Sequence, residues 1–334
     1  MTQGLYSVAE VAAMIEKGDM LVLAGDAALL SQLPKGKWIA GITSLFVENG
    51  ETLSTREKIF AHNMTHIAAD VKLEVYEVST ICNIFNDAYD NGFSVLIVPG
   101  VSEVMDVYAD NCSDYPNFAH RAVCGWAAAT PVYSEYEQND VSLVFSGETG
   151  KSYANSGVVM HIALPEGKFA EVHAVSAFKP DDGDVIMFEK DCQQVENILI
   201  DGVKQNFRQY MIDKKMDRSN NSLNVLVGDH ATGVIMNVGM YEDNERDLGK
   251  YVSVAAPVFK GIPYRFAKVD YNYSYESMNV QEIVYSFSCV GNYVRPDIFT
   301  NFRMNTNGPF VYGEIAYVLL NYATVYVTVG NITR

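Results

Sequence analysis

Positive charge is scarce in this chain: 24 lysines and arginines stand against 41 aspartates and glutamates, a formal net charge of −17 over 334 residues. A field of that sign repels phosphate backbones and anionic headgroups, so neither nucleic-acid nor membrane-surface binding is expected. Long apolar runs are also missing. No stretch approaches the roughly 20 apolar residues of a membrane span, and the opening, MTQGLYSVAEVAAMIEKGD, lacks the basic start and uninterrupted apolar core of a secretory signal. A cytoplasmic address is the expectation. Cysteine is sparse and odd in number: Cys82, Cys112, Cys124, Cys192 and Cys289 argue for reduced thiols rather than a disulfide framework. The signatures GxSxG, HExxH, CxxC and GxGxxG do not occur, and neither repeats nor heptads are evident.

What remains is the composition of an ordinary folded protein, 49% hydrophobic and 19% charged, in a chain long enough for two domains or one large layered domain. Ser7-Val8-Ala9-Glu10 fits a capping box, and Val8, Val11, Ala12 and Ile15 share a face, which predicts a first helix ending near Gly18. Strand-like runs follow at 20–24, 38–46, 71–78, 93–98, 121–128 and 141–145, with helices expected near 26–33, 80–90 and 102–110. The second half changes character: close-spaced runs at 157–164, 168–178, 184–189 and 195–200 favour antiparallel hairpins. The stretch VKQNFRQYMIDKKM (203–216) reads as a helix, and further strands are expected at 222–228, 232–241, 250–258, 264–275, 282–289 and 322–329. The fold class is therefore α/β or α+β, two sheet-and-helix halves with the C-terminal one rich in antiparallel strands. A boundary falls near 180, in the turn-forming FKPDDGD, giving halves 1–180 and 181–334.

Several stretches invite a chemical reading. FSGETGKSY (145–153) resembles a phosphate-binding loop, but only two residues separate its glycines where four are needed, so a hairpin loop is expected. His62 and His66 are four apart, like a helical zinc pair, yet position 63 is Asn. Cys112, His120 and Cys124 lack a knuckle spacing, and His161 and His173 lie in alternating patterns where satisfied structural histidines are expected, with a facing pair across a hairpin as the alternative. No metal and no cofactor are assigned. Cys289, in VYSFSCVGNYVRPD (284–297), leaves three readings open: an inert buried thiol, a thiol lining a ligand pocket, or a nucleophile activated by a remote histidine.

Three stretches resemble the C-terminal half of FIST sensory domains, which occur in bacterial signal-transduction proteins. IVYSFSCVGNY (283–293) is similar to the family's apolar strand with Ser-Cys, VYGEIAYVLLNYATVYVTVG (311–330) to its ending, and VENILIDGVKQNFRQYMID (195–213) to its opening. In the N-terminal half, residues 18–52 follow the family's layout of strand, short helix and strand, with Ile42-Thr43-Ser44-Leu45-Phe46 where the family has Ser-Thr-x-Gly-Glu. The resemblance implies a sensor of a small polar metabolite, an amino acid or a relative of one, acting through a separate signalling partner protein; homo-oligomerisation stays open. If Gly291-Asn292 turns the chain, Ser288 and Cys289 stand at a strand end, where loops over a sheet form pockets. Arg295 is expected to hold a carboxylate, and Glu314 either an ammonium group or backbone N–H groups. Thr43, Ser44 and Trp38 are expected to close the pocket from the N-terminal half. An enzyme using Cys289, and an assembly protein built on the 21 tyrosines and 16 phenylalanines, are the readings from other classes.

Overall fold

In a computed structural model of the chain, the structure describes residues 3–129, 141–214, 224–229, 235–241, 251–270, 283–294 and 306–332. It mixes α and β elements, as expected. The chain runs through β1 (Gln3–Tyr6), α1 (Val8–Glu16), β2 (Leu21–Gly25), α2 (Ala27–Leu30), β3 (Trp38–Ile42), β4 (Leu45–Glu48), β5 (Glu51–Ser54), β6 (Ile59–Asn63) and β7 (Asp70–Glu77). It continues with α3 (Ile84–Asp87), β8 (Gly92–Pro99), α4 (Glu103–Asn111), β9 (Ala122–Ala128), β10 (Val144–Ser146), β11 (Lys151–Tyr153), β12 (Ser156–Ala163) and β13 (Lys168–Val175). Next come β14 (Phe178–Pro180), β15 (Ile186–Met187), β16 (Cys192–Val195), β17 (Asn197–Ile200), β18 (Val203–Asn206), α5 (Phe207–Asp213), β19 (Val225–Asp229), β20 (Ile235–Tyr241), β21 (Val252–Val258) and β22 (Tyr264–Val269). The last stretch holds β23 (Ile283–Cys289), α6 (Val290–Val294), β24 (Gly308–Val311), β25 (Glu314–Ala316), β26 (Val318–Leu320) and β27 (Thr324–Asn331).

Two compact units result. The first takes the described residues up to His173 with those in 274–318 and 324–332; the second takes those in 174–273 and 319–323. The first crossing falls between His173 and Ala174, where the sequence suggested a boundary near 180. Past 273, however, the chain returns to the first unit, because β24 pairs with β4 and β25 with β9, strands laid down long before.

Among the described residues the first unit holds three sheets. One runs β1-β6-β2-β3-β10-β11, a second passes from β25 through β9, β8 and β12 to the edge strand β7, and a third runs β13-β27-β23-β24-β4-β5. β2 and β3 are parallel, joined through α2, and their pattern is buried throughout. Continuous burial matches the unbroken apolar runs MLVLA and WIAGI, the signature of strands covered on both faces. One cover is the indole of Trp126 on β9: a Cβ at Gly41 would lie 2.6 Å from its ring, so glycine in β3 is what lets the two sheets close on each other.

The second unit is a nine-stranded sheet, β16-β21-β20-β19-β22-β15-β17-β18 with β14 on β22, and its strand pairings are antiparallel. Here the helix expected over 203–216 is only partly formed. Asp201 and Gly202 take φ of 50° and 79°, which makes a two-residue turn, and Val203–Asn206 pair back onto β17 as β18. The helix begins only where Asn206 Oδ1 accepts the Gln209 N–H at 2.9 Å. Likewise the helix expected at 80–90 reduces to a 3-10 turn and the four residues of α3.

Candidate functional site

The run expected as one strand over 38–46 is broken at Thr43-Ser44, and that break builds the site. β3 pairs in the first sheet and β4 in the third, so the chain changes sheet at these two hydroxyl residues. Thr43 ties the corner: its N–H donates to Gly25 O, its Oγ1 donates to Phe310 O at 2.8 Å and accepts the Leu45 N–H at 3.3 Å. Ser44 O accepts the Thr55 N–H, which brings the β5–β6 link, and Arg56 with it, to the same end.

A crevice of about 310 Å³ opens there, at the carboxyl ends of the parallel strands β2 and β3. Open α/β sheets commonly bind ligands in this position, where the loops diverge. Gly25, Ile42 and Leu143 are part of its apolar lining. Its polar part is Asp26, Thr43, Ser44 and Arg56. Asp26 caps α2, Oδ1 accepting the Ala28 N–H at 2.8 Å, and its Oδ2 pairs with Arg56 Nε. The carboxylate side chain is 11% exposed and the Arg56 side chain 41%, so one charge is held in the wall and the other reaches outward. The Ser44 hydroxyl makes no hydrogen bond to protein among the described residues.

Of the residues expected at a site, the structure brings Thr43, Ser44, Ser288 and Cys289 into one neighbourhood. Ser288 is opposite Phe310 in the parallel pairing of β23 with β24, and Phe310 O is the acceptor of Thr43. Ser288 and Cys289 are nevertheless core residues. Ser288 Oγ shares a 2.9 Å hydrogen bond with Thr324 Oγ1, and Cys289, 4% exposed, accepts the Gly291 N–H on sulfur at 3.3 Å. Gly291 and Asn292 do not turn the chain at once, as expected, but lie in α6. Glu314 is fully buried on β25, opposite Trp126. Trp38 starts β3, at the opposite end from the crevice, and its indole N–H donates to Pro34 O at 2.8 Å. Arg295 lies outside the described residues.

The other motifs resolve simply. Gly147–Gly150 form the turn of the β10–β11 hairpin. His62 is on a strand, β6, packed edge-on against the ring of Tyr285 with centroids 4.7 Å apart, and burial lowers its pKa to about 3. His161 and His173 do not face each other: β12 and β13 belong to different sheets, and His173 stacks on Tyr326. No group of three or more metal-ligating side chains occurs among the described residues.

His161 does anchor a network that alternation alone did not reveal. Ser94 Oγ is 2.7 Å from its Nδ1, and its Nε2 is 3.0 Å from the hydroxyl of Tyr76, which donates to Asp87 Oδ2 at 2.9 Å. The order is like that of nucleophile, base and orienting acid, but with the Tyr76 hydroxyl inserted between imidazole and carboxylate. Ser94 and His161 are both completely buried, though, and burial first of all lowers the imidazole pKa to about 4, so the chain works as a satisfied core network. Asp26 and Arg56 were also missed. Asp26 carried a signal, Gly-Asp directly after a buried strand; Arg56, in an exposed link, carried none.

Comparison with known proteins decides membership at this point: a model described as a family of unknown function, DUF6976, matches residues 6–330. The chain belongs to DUF6976. No curated protein matches it. Among the described residues no helix is long and apolar enough to cross a membrane.

Proposed function

We propose that this DUF6976 protein is a sensory protein that binds a small polar metabolite, an amino acid or a close relative, in the crevice at the ends of β2 and β3. The observation that carries the reading is the Asp26–Arg56 pair set beside the open Ser44 hydroxyl. A zwitterion presents an ammonium group and a carboxylate, and a carboxylate facing a guanidinium within one small cleft complements both. The volume suits such a ligand, at the small end of the roughly 300–1,000 Å³ range of ligand pockets. The resemblance to FIST sensory domains, which layers strand, helix and strand over the same residues, supports the same role. No reaction is required by it.

The test is a thermal-shift screen against amino acids, small carboxylates and nucleotides. A ligand at about 100 times its Kd stabilises by roughly 2.7 kcal/mol, a shift of several degrees. Asp26→Asn keeps the α2 cap and removes the charge, so it should abolish the shift from amino acids while leaving the unliganded Tm near its starting value, and Arg56→Ala should do the same for carboxylates. A screen without selective shifts, or shifts that survive both substitutions, sinks the proposal.

A further inference from the structure

A second groove, of about 710 Å³, runs along β7. Among the described residues β7 is the last strand of its sheet, and Lys35, Gly36, Lys37, Tyr89 and Glu148 complete the lining. The pairing around it shows which backbone groups are spare. The Leu164 N–H donates to Asn91 O, on the β8 side of β12, and the Ala69 N–H donates to Ala163 O, on the β7 side. Alternation along an antiparallel ladder then turns the backbone of Asp70, Lys72, Glu74 and Tyr76 toward β12, and that of Val71, Leu73 and Val75 away from it. Among the described residues no strand pairs with this outer row. Such a row is a template for one more strand.

The side chains say which strand. Asp70, Lys72 and Glu74 share one face with alternating sign, while Val71, Leu73 and Val75 share the other. Residues directly opposite across two strands attract when their charges differ and repel when they match. An incoming strand therefore does best with a base opposite Asp70, an acid opposite Lys72 and a base opposite Glu74, with apolar residues between. We propose that this groove receives an extended segment of a separate partner protein as an added strand, with the core pattern basic, apolar, acidic, apolar, basic.

The probe is a labelled synthetic peptide with the core Lys-Val-Glu-Val-Lys, compared by fluorescence anisotropy with its charge-reversed form, Glu-Val-Lys-Val-Glu. The first should bind about tenfold or more tightly than the second, and hydrogen exchange should slow at the amides of Val71, Leu73 and Val75. Val71→Pro should abolish binding without lowering Tm, since its N–H serves no pair within the sheet. Should that variant fail to fold, Glu74→Lys on the half-exposed face provides the second arm: it should weaken the first peptide and strengthen the second. Equal binding of both peptides, binding of neither, or protection away from β7 overturns the proposal. A doubled mass in light scattering, lost in Glu74→Lys, overturns it in favour of a second copy of the chain.

Discussion

A thiol is reactive when it is exposed and ionised, and the five cysteines differ sharply in both respects. Cys112, Cys124 and Cys289 are buried, whereas Cys82 and Cys192 are half-buried. Burial pushes the Cys112 pKa up to about 12 and that of Cys124 higher still, with no positive group among the described residues to bring either down. In the folded protein a disulfide-exchange reagent should therefore consume two thiols quickly, at Cys82 and Cys192, and the other three only on unfolding. The count can be read at 412 nm as about two fast and three slow equivalents, with peptide mapping to assign them. Fast modification of Cys289 would revive the nucleophile reading; its position inside the β23–α6 corner argues for the inert one.

At the scale of elements, the Thr43 corner is where function and fold meet. Its hydroxyl satisfies a carbonyl of β24 and an amide of β4 at once, so Thr43→Val leaves two buried backbone groups short of a partner while keeping the shape. Loss of about 1–3 kcal/mol is expected, measured as a lower urea midpoint with an unchanged slope, and ligand binding in the crevice should weaken with it. Ser44→Ala, whose hydroxyl ties no element, should leave the urea midpoint nearly unmoved. The same corner shows what sequence could and could not convey. Continuous apolar runs announced β2, β3 and β8 and the Ser7–Glu10 box announced α1, because burial on two faces and cap chemistry are local. The division of 38–46 into β3 and β4 was not legible, since a strand changing sheets keeps its apolar pattern and only the pairing partner changes. One local signal was overlooked: Asn49-Gly50, with φ of 53° and 78°, is a two-residue hairpin turn, and it dictates β5. The site itself was half legible. Thr43 and Ser44 were expected at a pocket through the family layout, though inside an unbroken 38–46 run, and Arg56 reaches Asp26 only through the third sheet's hairpin, a long-range arrangement that no local pattern encodes.

Across the whole chain, charge works on two pH scales that can be separated. The formal −17 is carried by carboxylates whose ordinary titration lies near pH 4. The buried imidazoles titrate elsewhere. Burial lowers the pKa of His62 to about 3 and of His161 to about 4, against about 6.5 for an unfolded histidine. Both are thus neutral in the folded state, while the unfolded chain takes up protons as soon as pH falls through 6.5. Stability contributed by these rings is complete above that value and is lost progressively as pH falls toward the folded-state values. Between pH 7 and 5.5, two such groups should cost on the order of 2 kcal/mol, and the half-buried His173, also shifted down by burial, adds in the same direction. Relief of like-charge repulsion opposes this only when carboxylates begin to protonate, about a unit lower, so the histidines win in this window. Both tryptophans, Trp38 and Trp126, are buried in the first unit together with His62 and His161. Their fluorescence in urea titrations therefore reads the unit concerned: the midpoint should fall steadily from pH 7 to 5.5, and about half of that fall should vanish in His62→Phe, which keeps an aromatic ring against Tyr285 but cannot take up a proton. A midpoint that stays level over this range would mean that water reaches both rings in the folded state.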